Sequence, residues 1–176
     1  MIIANILKDL FKCLELDYFE YNRFNEVSDK VKKQVKFSFG NQDDLNKYIS
    51  SRLNLDNFPL IWYVKPNFEM DSQRLDVFNV KAKLILMTST KADTYNEDIA
   101  VINYENLLHP LSLKVIKVLE KARNIDIKSK ISVFDETKFG LDVYNSNMDT
   151  KTKSGTLMYV DSRVLEVELE IKKKCQ

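Results

Sequence analysis

Apolar and polar positions alternate along this chain with two different periods, and the change between them marks out the elements. Ile3, Ile6, Leu7, Leu10, Phe11 and Leu14 fall at helical spacing, with Lys8, Asp9, Lys12 and Glu15 opposite. This predicts an amphipathic helix over 3–16. The period then fails through "DYFEYNRFNEVSDK", which reads as a loop. In "QVKFSFG", Val35, Phe37 and Phe39 alternate with Lys36 and Ser38, predicting a half-buried strand that Gly40 ends. A second helix follows in "GNQDDLNKYISSRL". Asn41 is its cap, Asp43 and Asp44 complement the dipole of its first turn, and Leu45, Tyr48, Ile49 and Leu53 form its stripe.

The run "FPLIWYVKP" is apolar without alternation and closed by prolines. It is far too short to cross a bilayer, which takes ~20 apolar residues. It predicts a strand over 60–65 buried on both faces, covered by the chain's own helices or by a neighbouring copy. "RLDVFNVKAKLILMT" predicts a long strand with Phe78, Val80, Ala82, Leu84 and Leu86 on one side, and Asn79, Lys81 and Lys83 on the other. A helical region spans roughly 98–123. Pro110 implies a short helix, a break near His109, and a second helix from 110. "KISVFD" and "GLDVYN" are shorter strand candidates. In "RVLEVELEIKKK", Leu165, Val167, Leu169 and Ile171 alternate with Glu166, Glu168 and Glu170, a closing strand. Polar segments at about 66–74, 89–98 and 146–155 read as flexible loops. The expected fold is a single α+β domain over 1–176, a mainly antiparallel β-sheet with helices packed on one face.

Composition narrows the function. A net charge of +1 gives no basic field for non-specific nucleic-acid binding. Arginine, the usual base and phosphate reader, occurs only at Arg23, Arg52, Arg74, Arg123 and Arg163. Cys13 and Cys175 belong to no close pair or Cys/His cluster, so neither a disulfide framework nor a metal site is expected. The apolar start lacks a basic leader and a cleavage site, which suggests a protein made in the cytoplasm. His109 is the sole histidine, set among leucines before a proline, and a structural role suits it better than catalysis. Gly40, Gly140 and Gly155 are isolated and form no phosphate loop. The expectation is a non-enzymatic protein without a cofactor, whose work is to fit against other proteins.

If the long strand and the closing strand are antiparallel neighbours, the Lys81–Lys83 row faces the Glu166–Glu168–Glu170 row as cross-strand ion pairs. A one-residue slip would bury those charges, so the rows help set register.

One resemblance covers nearly the whole chain. Its features are the N-terminal helix, "FGN" before "QDDLNKYI", then "FPLIWYV", "FNVKAKLILMT" and "YENLLHPLSLKVIKVL", then "KFGLDVYN", and finally "YVDSRVLEVELEIKKKC". In this order they resemble the tail-terminator and neck proteins of tailed bacteriophages, of the kind that infect gut Bacteroides-like hosts. The chain departs from that pattern at Phe139, where a tryptophan is often expected. The resemblance implies a virion structural protein that joins the portal or head-completion ring to the tail tube or hub. Six or twelve copies would form a ring through which double-stranded genomic DNA passes without sequence-specific binding, and no membrane is involved. It also implies that the next subunit covers part of the 58–66 strand's second face or an edge of its sheet. Subunit or partner contacts would then lie at Trp62, Tyr63, Pro66, Phe68, Met70, Tyr95 and Met148, and the glutamate row could instead line a DNA-repelling lumen. A soluble adaptor or phage regulatory module is the alternative.

Overall fold

The computed structural model describes residues 2–21, 26–50, 57–65, 69–70, 77–90, 94–143 and 156–172. The first helix, α1 (Ile2–Phe11), buries Ile3, Ala4, Leu7 and Phe11. It ends five residues earlier than its apolar spacing suggested. Leu14 donates its N–H to the Phe11 carbonyl at 3.0 Å, and its own carbonyl accepts the Val35 N–H at 2.9 Å. Leu14 fits a helical stripe and an alternating strand equally well, and this tertiary partner ends the helix and leads the chain into a strand that begins at Glu15.

What reads as a loop from 17 to 30 is a hairpin. Strands β1 (Glu15–Tyr21) and β2 (Val27–Gln34) pair antiparallel, from Glu15 opposite Gln34 to Tyr21 opposite Val27. They form a two-stranded sheet of their own. The sequence pattern hides it because only Leu16 is buried in β1 and nothing is buried in β2.

The main sheet has seven strands: β3 (Lys36–Gly40), β4 (Leu60–Val64), β5 (Glu69–Met70), β6 (Val77–Thr90), β7 (Ile125–Ile127), β8 (Ser132–Val143) and β9 (Thr156–Lys172). The order is β3-β4-β6-β9-β7, with β5 beside β6 and β8 beside β9. Only β3 and β4 are parallel, so the sheet is mainly antiparallel and the fold is α+β. Strand β5 falls inside the segment expected to be a loop at 66–74, and β6 runs on to Thr90, past the expected loop start at 89. The two short strand candidates near 130 and 140 are one strand, β8. A bulge between Glu136 and Phe139 joins them, with Lys138 at φ 50°. The polar segment 146–155 lies outside the described residues.

Two layers of side chains hold the sheet. One face carries Ile61, Tyr63, Phe78, Val80, Ala82, Leu84, Leu86, Leu165, Val167, Leu169 and Ile171, packed under α1 and a long helical rod. That rod comprises α3 (Asn96–Ile99), a π-helical segment (Ala100–Leu108) and α4 (His109–Lys121). It does not break at His109, whose φ/ψ of −67°/−51° is helical and whose N–H bonds the Tyr104 carbonyl. Pro110 lies in the first turn of α4, where a missing N–H does least damage. Ile99, Asn103, Leu107, Leu111, Val115 and Leu119 are all buried, a repeat of four residues. An α-helix turns every 3.6 residues, so such a row would drift around it. The wider i→i+5 winding in the middle holds the row against the sheet.

The other face is covered over one half only. Helix α2 (Gln42–Ser50) lays Leu45 and Ile49 over Leu60, Trp62, Met87 and Val160, with Phe58 completing the cluster. Both faces of β4 are therefore covered by the chain's own helices, not by a neighbour. Helix α2 starts as its sequence suggests. The Asn41 carboxamide accepts the Asp44 N–H at 2.9 Å, and the Asp44 carboxylate accepts the Asn41 N–H at 3.0 Å. Gly40 precedes it at φ 152°, where a Cβ would lie 2.5 Å from that of Asp44.

Candidate functional site

The antiparallel register of β6 and β9 puts Lys81 opposite Glu168, Lys83 opposite Glu166, and Asn79 opposite Glu170. Lys81 and Lys83 each reach their glutamate at 3.5 Å. These four side chains stand on the half of the sheet face that α2 leaves open. They border a shallow depression of about 490 Å³ with Ser129, Lys130 and Ser132 beside it. Glu170 leaves the row: it pairs with Lys128 at 3.2 Å and with Lys172 at 3.6 Å. Lys172 also holds Asp126 at 2.6 Å, and this hydrogen bond lowers the Asp126 pKa and raises that of Lys172. Every glutamate of the row thus has a lysine beside it, so the surface carries both signs in alternation and no uniform negative field.

The proposed contact residues separate into three groups. Trp62 and Tyr63 are each only 2% exposed and offer nothing to a partner. The Trp62 ring packs on Tyr48 at 5.7 Å between centroids, and its indole N–H donates to the Gly40 carbonyl at 3.3 Å. Burial pushes the Tyr63 phenol pKa well up, and its hydroxyl finds no hydrogen-bond partner among the described residues. Tyr95 is 79% exposed beside α3, open to a contact. Pro66, Phe68 and Met148 lie outside the described residues. The Met70 backbone pairs with Phe78, and its side chain is not described.

A polar cluster that the sequence reading missed lies where the π-helical segment crosses β9. Asp161 is fully buried; one carboxylate oxygen accepts the Asn103 amide and the other the Lys138 N–H at 2.8 Å. The Tyr104 hydroxyl donates to the Ser162 carbonyl at 3.2 Å. Burial raises the Tyr104 pKa, reinforced by the Asp161 and Asp135 carboxylates. Arg163 grips Asp135 with two bonds of 2.6 and 2.7 Å, touches His109 Nδ1 at 3.0 Å, and lies 5.8 Å over the Tyr104 ring. The hydrogen bond to Asp135 raises the Arg163 pKa further. This arrangement fastens three elements: the π-helical segment, the β8 bulge and β9. His109 is one of its members, through Arg163. The signal available in the sequence was Asp161, Ser162 and Arg163 interrupting an otherwise apolar alternation.

A cleft of about 320 Å³ separates the hairpin from the π-helical segment, lined in part by Tyr18, Phe19, Asn103 and Asn106. Asn106 bridges it, donating to the Phe19 carbonyl at 2.7 Å and accepting the Phe19 N–H at 2.9 Å. Among the described residues, no group of three or more His, Cys, Asp or Glu is placed to hold a metal ion. No helix there is long and apolar enough to cross a membrane. No known protein-family model matches the chain, and no curated protein is significantly similar to it in sequence.

Proposed function

We propose that the chain is a structural subunit of a closed ring in the neck or tail of a tailed bacteriophage. In this reading the ring joins the portal or head-completion ring to the tail tube or hub, and genomic DNA passes through its channel. The order of sequence features that resembles such proteins supports it. One structural observation carries it further: the first half of β8 is a sheet edge left bare. Residues 132–137 are all exposed, and Val133 and Phe134 stand 49% and 53% exposed. Among the described residues, β8 pairs with β9 on one side and with no strand on the other. Unpaired N–H and C=O groups on such an edge recruit other strands, and the bulge and charged residues of β8 limit which strands can join it. A cyclic assembly satisfies the edge with the next subunit.

Light scattering on a sizing column at high protein concentration, with negative-stain images of the peak, tests this. Rings of six or twelve are expected. A monomer at every concentration, both alone and co-expressed with the portal and tail-tube proteins of the same genome, overturns the proposal.

A further inference from the structure

We infer that neighbouring copies of this chain join by strand addition, the free edge of β2 in one copy pairing with the free edge of β8 in the next. The inference rests on the ring reading above and assigns its contact. The hairpin has one closed edge and one open one. Asn106 takes both backbone groups of Phe19 and so blocks the outer edge of β1. Strand β2 has β1 on one side and, among the described residues, no strand on the other. None of its eight residues is buried. A two-stranded ribbon of this kind is marginal in water by itself. This ribbon is held to the body of the chain along β1, by Leu16 and by Asn106, and a third strand on β2 would hold its other edge.

Charge selects the occupant. Strand β2 carries Lys30, Lys32 and Lys33 against Asp29. The first half of strand β8 carries Asp135 and Glu136 against Lys138. Pairing β2 with β2, or β8 with β8, across a two-fold axis would set like charges side by side, which destabilises a sheet. Pairing β2 with β8 sets lysines against carboxylates. Lys32 and Asp135 are already engaged within the chain, with Glu15 and Arg163. Lys30 and Glu136, both exposed, are the pair taken to meet across the joint. Two different patches that fit each other make a head-to-tail contact, which closes into a ring when the rotation allows. The exposed Val27, Val133 and Phe134 would be sheltered in the same joint.

The test uses the full chain with Cys13→Ser and Cys175→Ser, and adds Lys30→Cys to one preparation and Glu136→Cys to another. A short flexible bis-maleimide spans a range of strand registers. Mixing the two preparations should give a cross-linked dimer on a denaturing gel, and each alone should give none. The double variant should give a ladder that stops at the ring number seen by scattering. Cross-linking of the Lys30→Cys chain alone would indicate a two-fold joint and overturn the head-to-tail pairing. Rings without the mixed cross-link would overturn the β2–β8 joint and leave the ring reading standing. A persistent monomer without cross-links, with or without portal and tail-tube proteins, would remove both.

Discussion

The sheet face opposite the long helical rod has two halves built on opposite principles. Under α2, Leu60, Trp62, Met87 and Val160 exclude water, and each side chain is at most 2% exposed. Beyond α2, the same two central strands present Lys81, Lys83, Glu166 and Glu168 to solvent. Strands β6 and β9 run through both halves, and along them the outward residues change from Met87 and Val160 to lysine and glutamate. The covered half supplies stability, because burial of apolar area is worth roughly 25 cal/mol per Å². Exposed ion pairs are worth ~0–1 kcal/mol each, so the open half supplies mainly register. The boundary between them falls between Ile85 and Lys83 on β6 and between Val164 and Glu166 on β9.

The largest break in this contrast is Trp62→Ala. It empties the centre of the covered half and should cost about 3–5 kcal/mol, read by urea unfolding. Asp161→Ala strips the Asn103 amide and the Lys138 N–H of their acceptor, and a loss of about 1–3 kcal/mol is expected in the same assay. Asn41→Ala removes the cap that holds α2 over its half, with a loss of about 1 kcal/mol. Tyr63→Phe works in the opposite direction. It deletes a buried hydroxyl without a partner, so stability should hold or rise, by about 1 kcal/mol at most. The smallest effect belongs to the open half. A double-mutant cycle on Lys83→Ala and Glu166→Ala should return under about 1 kcal/mol, and less at high salt. A coupling above about 2 kcal/mol would erase the distinction between the halves.

Acid should act at the border of the charged region. Asp126 has a lowered pKa because Lys172 bonds its carboxylate. Its contribution is complete above the ordinary aspartate value of 3.8 and fades as pH falls below that through the lowered folded value. Asp126→Asn should remove a small part of the acid limb of a stability–pH curve, leaving the curve near neutrality parallel to the parent.

The strands legible in the sequence were those whose pattern records burial. The continuous apolar run of β4 recorded cover on both faces. The alternation of β6 and β9 recorded one apolar face and, through the lysine and glutamate positions, their mutual register. The hairpin left no such record, since Val27, Ser28, Asp29 and Lys30 all face water. Its existence depends on long-range partners: Val35 to Leu14, and Asn106 to Phe19. The helical rod was legible as a helix and not as a continuous one. Pro110 argues locally for a break, and the widened winding before it is a tertiary response to the row of side chains from Ile99 to Leu119. The candidate contact residues fared unevenly for a related reason. An aromatic residue in an apolar run signals burial and a partner surface alike, and Trp62 and Tyr63 proved to be core.

Strand β9 pairs with β6 over 14 residues, from Val77–Lys172 to Thr90–Tyr159, and it comes after every other described element in chain order. It is also an inner strand, with β7 and β8 hung on its far side. On the ribosome, β6 therefore emerges long before its neighbour, at about 5–20 residues per second. For those seconds Leu84, Leu86 and the rest of its apolar row have earlier strands on one side and none on the other. The nascent chain is then a natural client for a holding chaperone, and a ribosome stalled before Thr156 would release a fragment with half of its sheet missing.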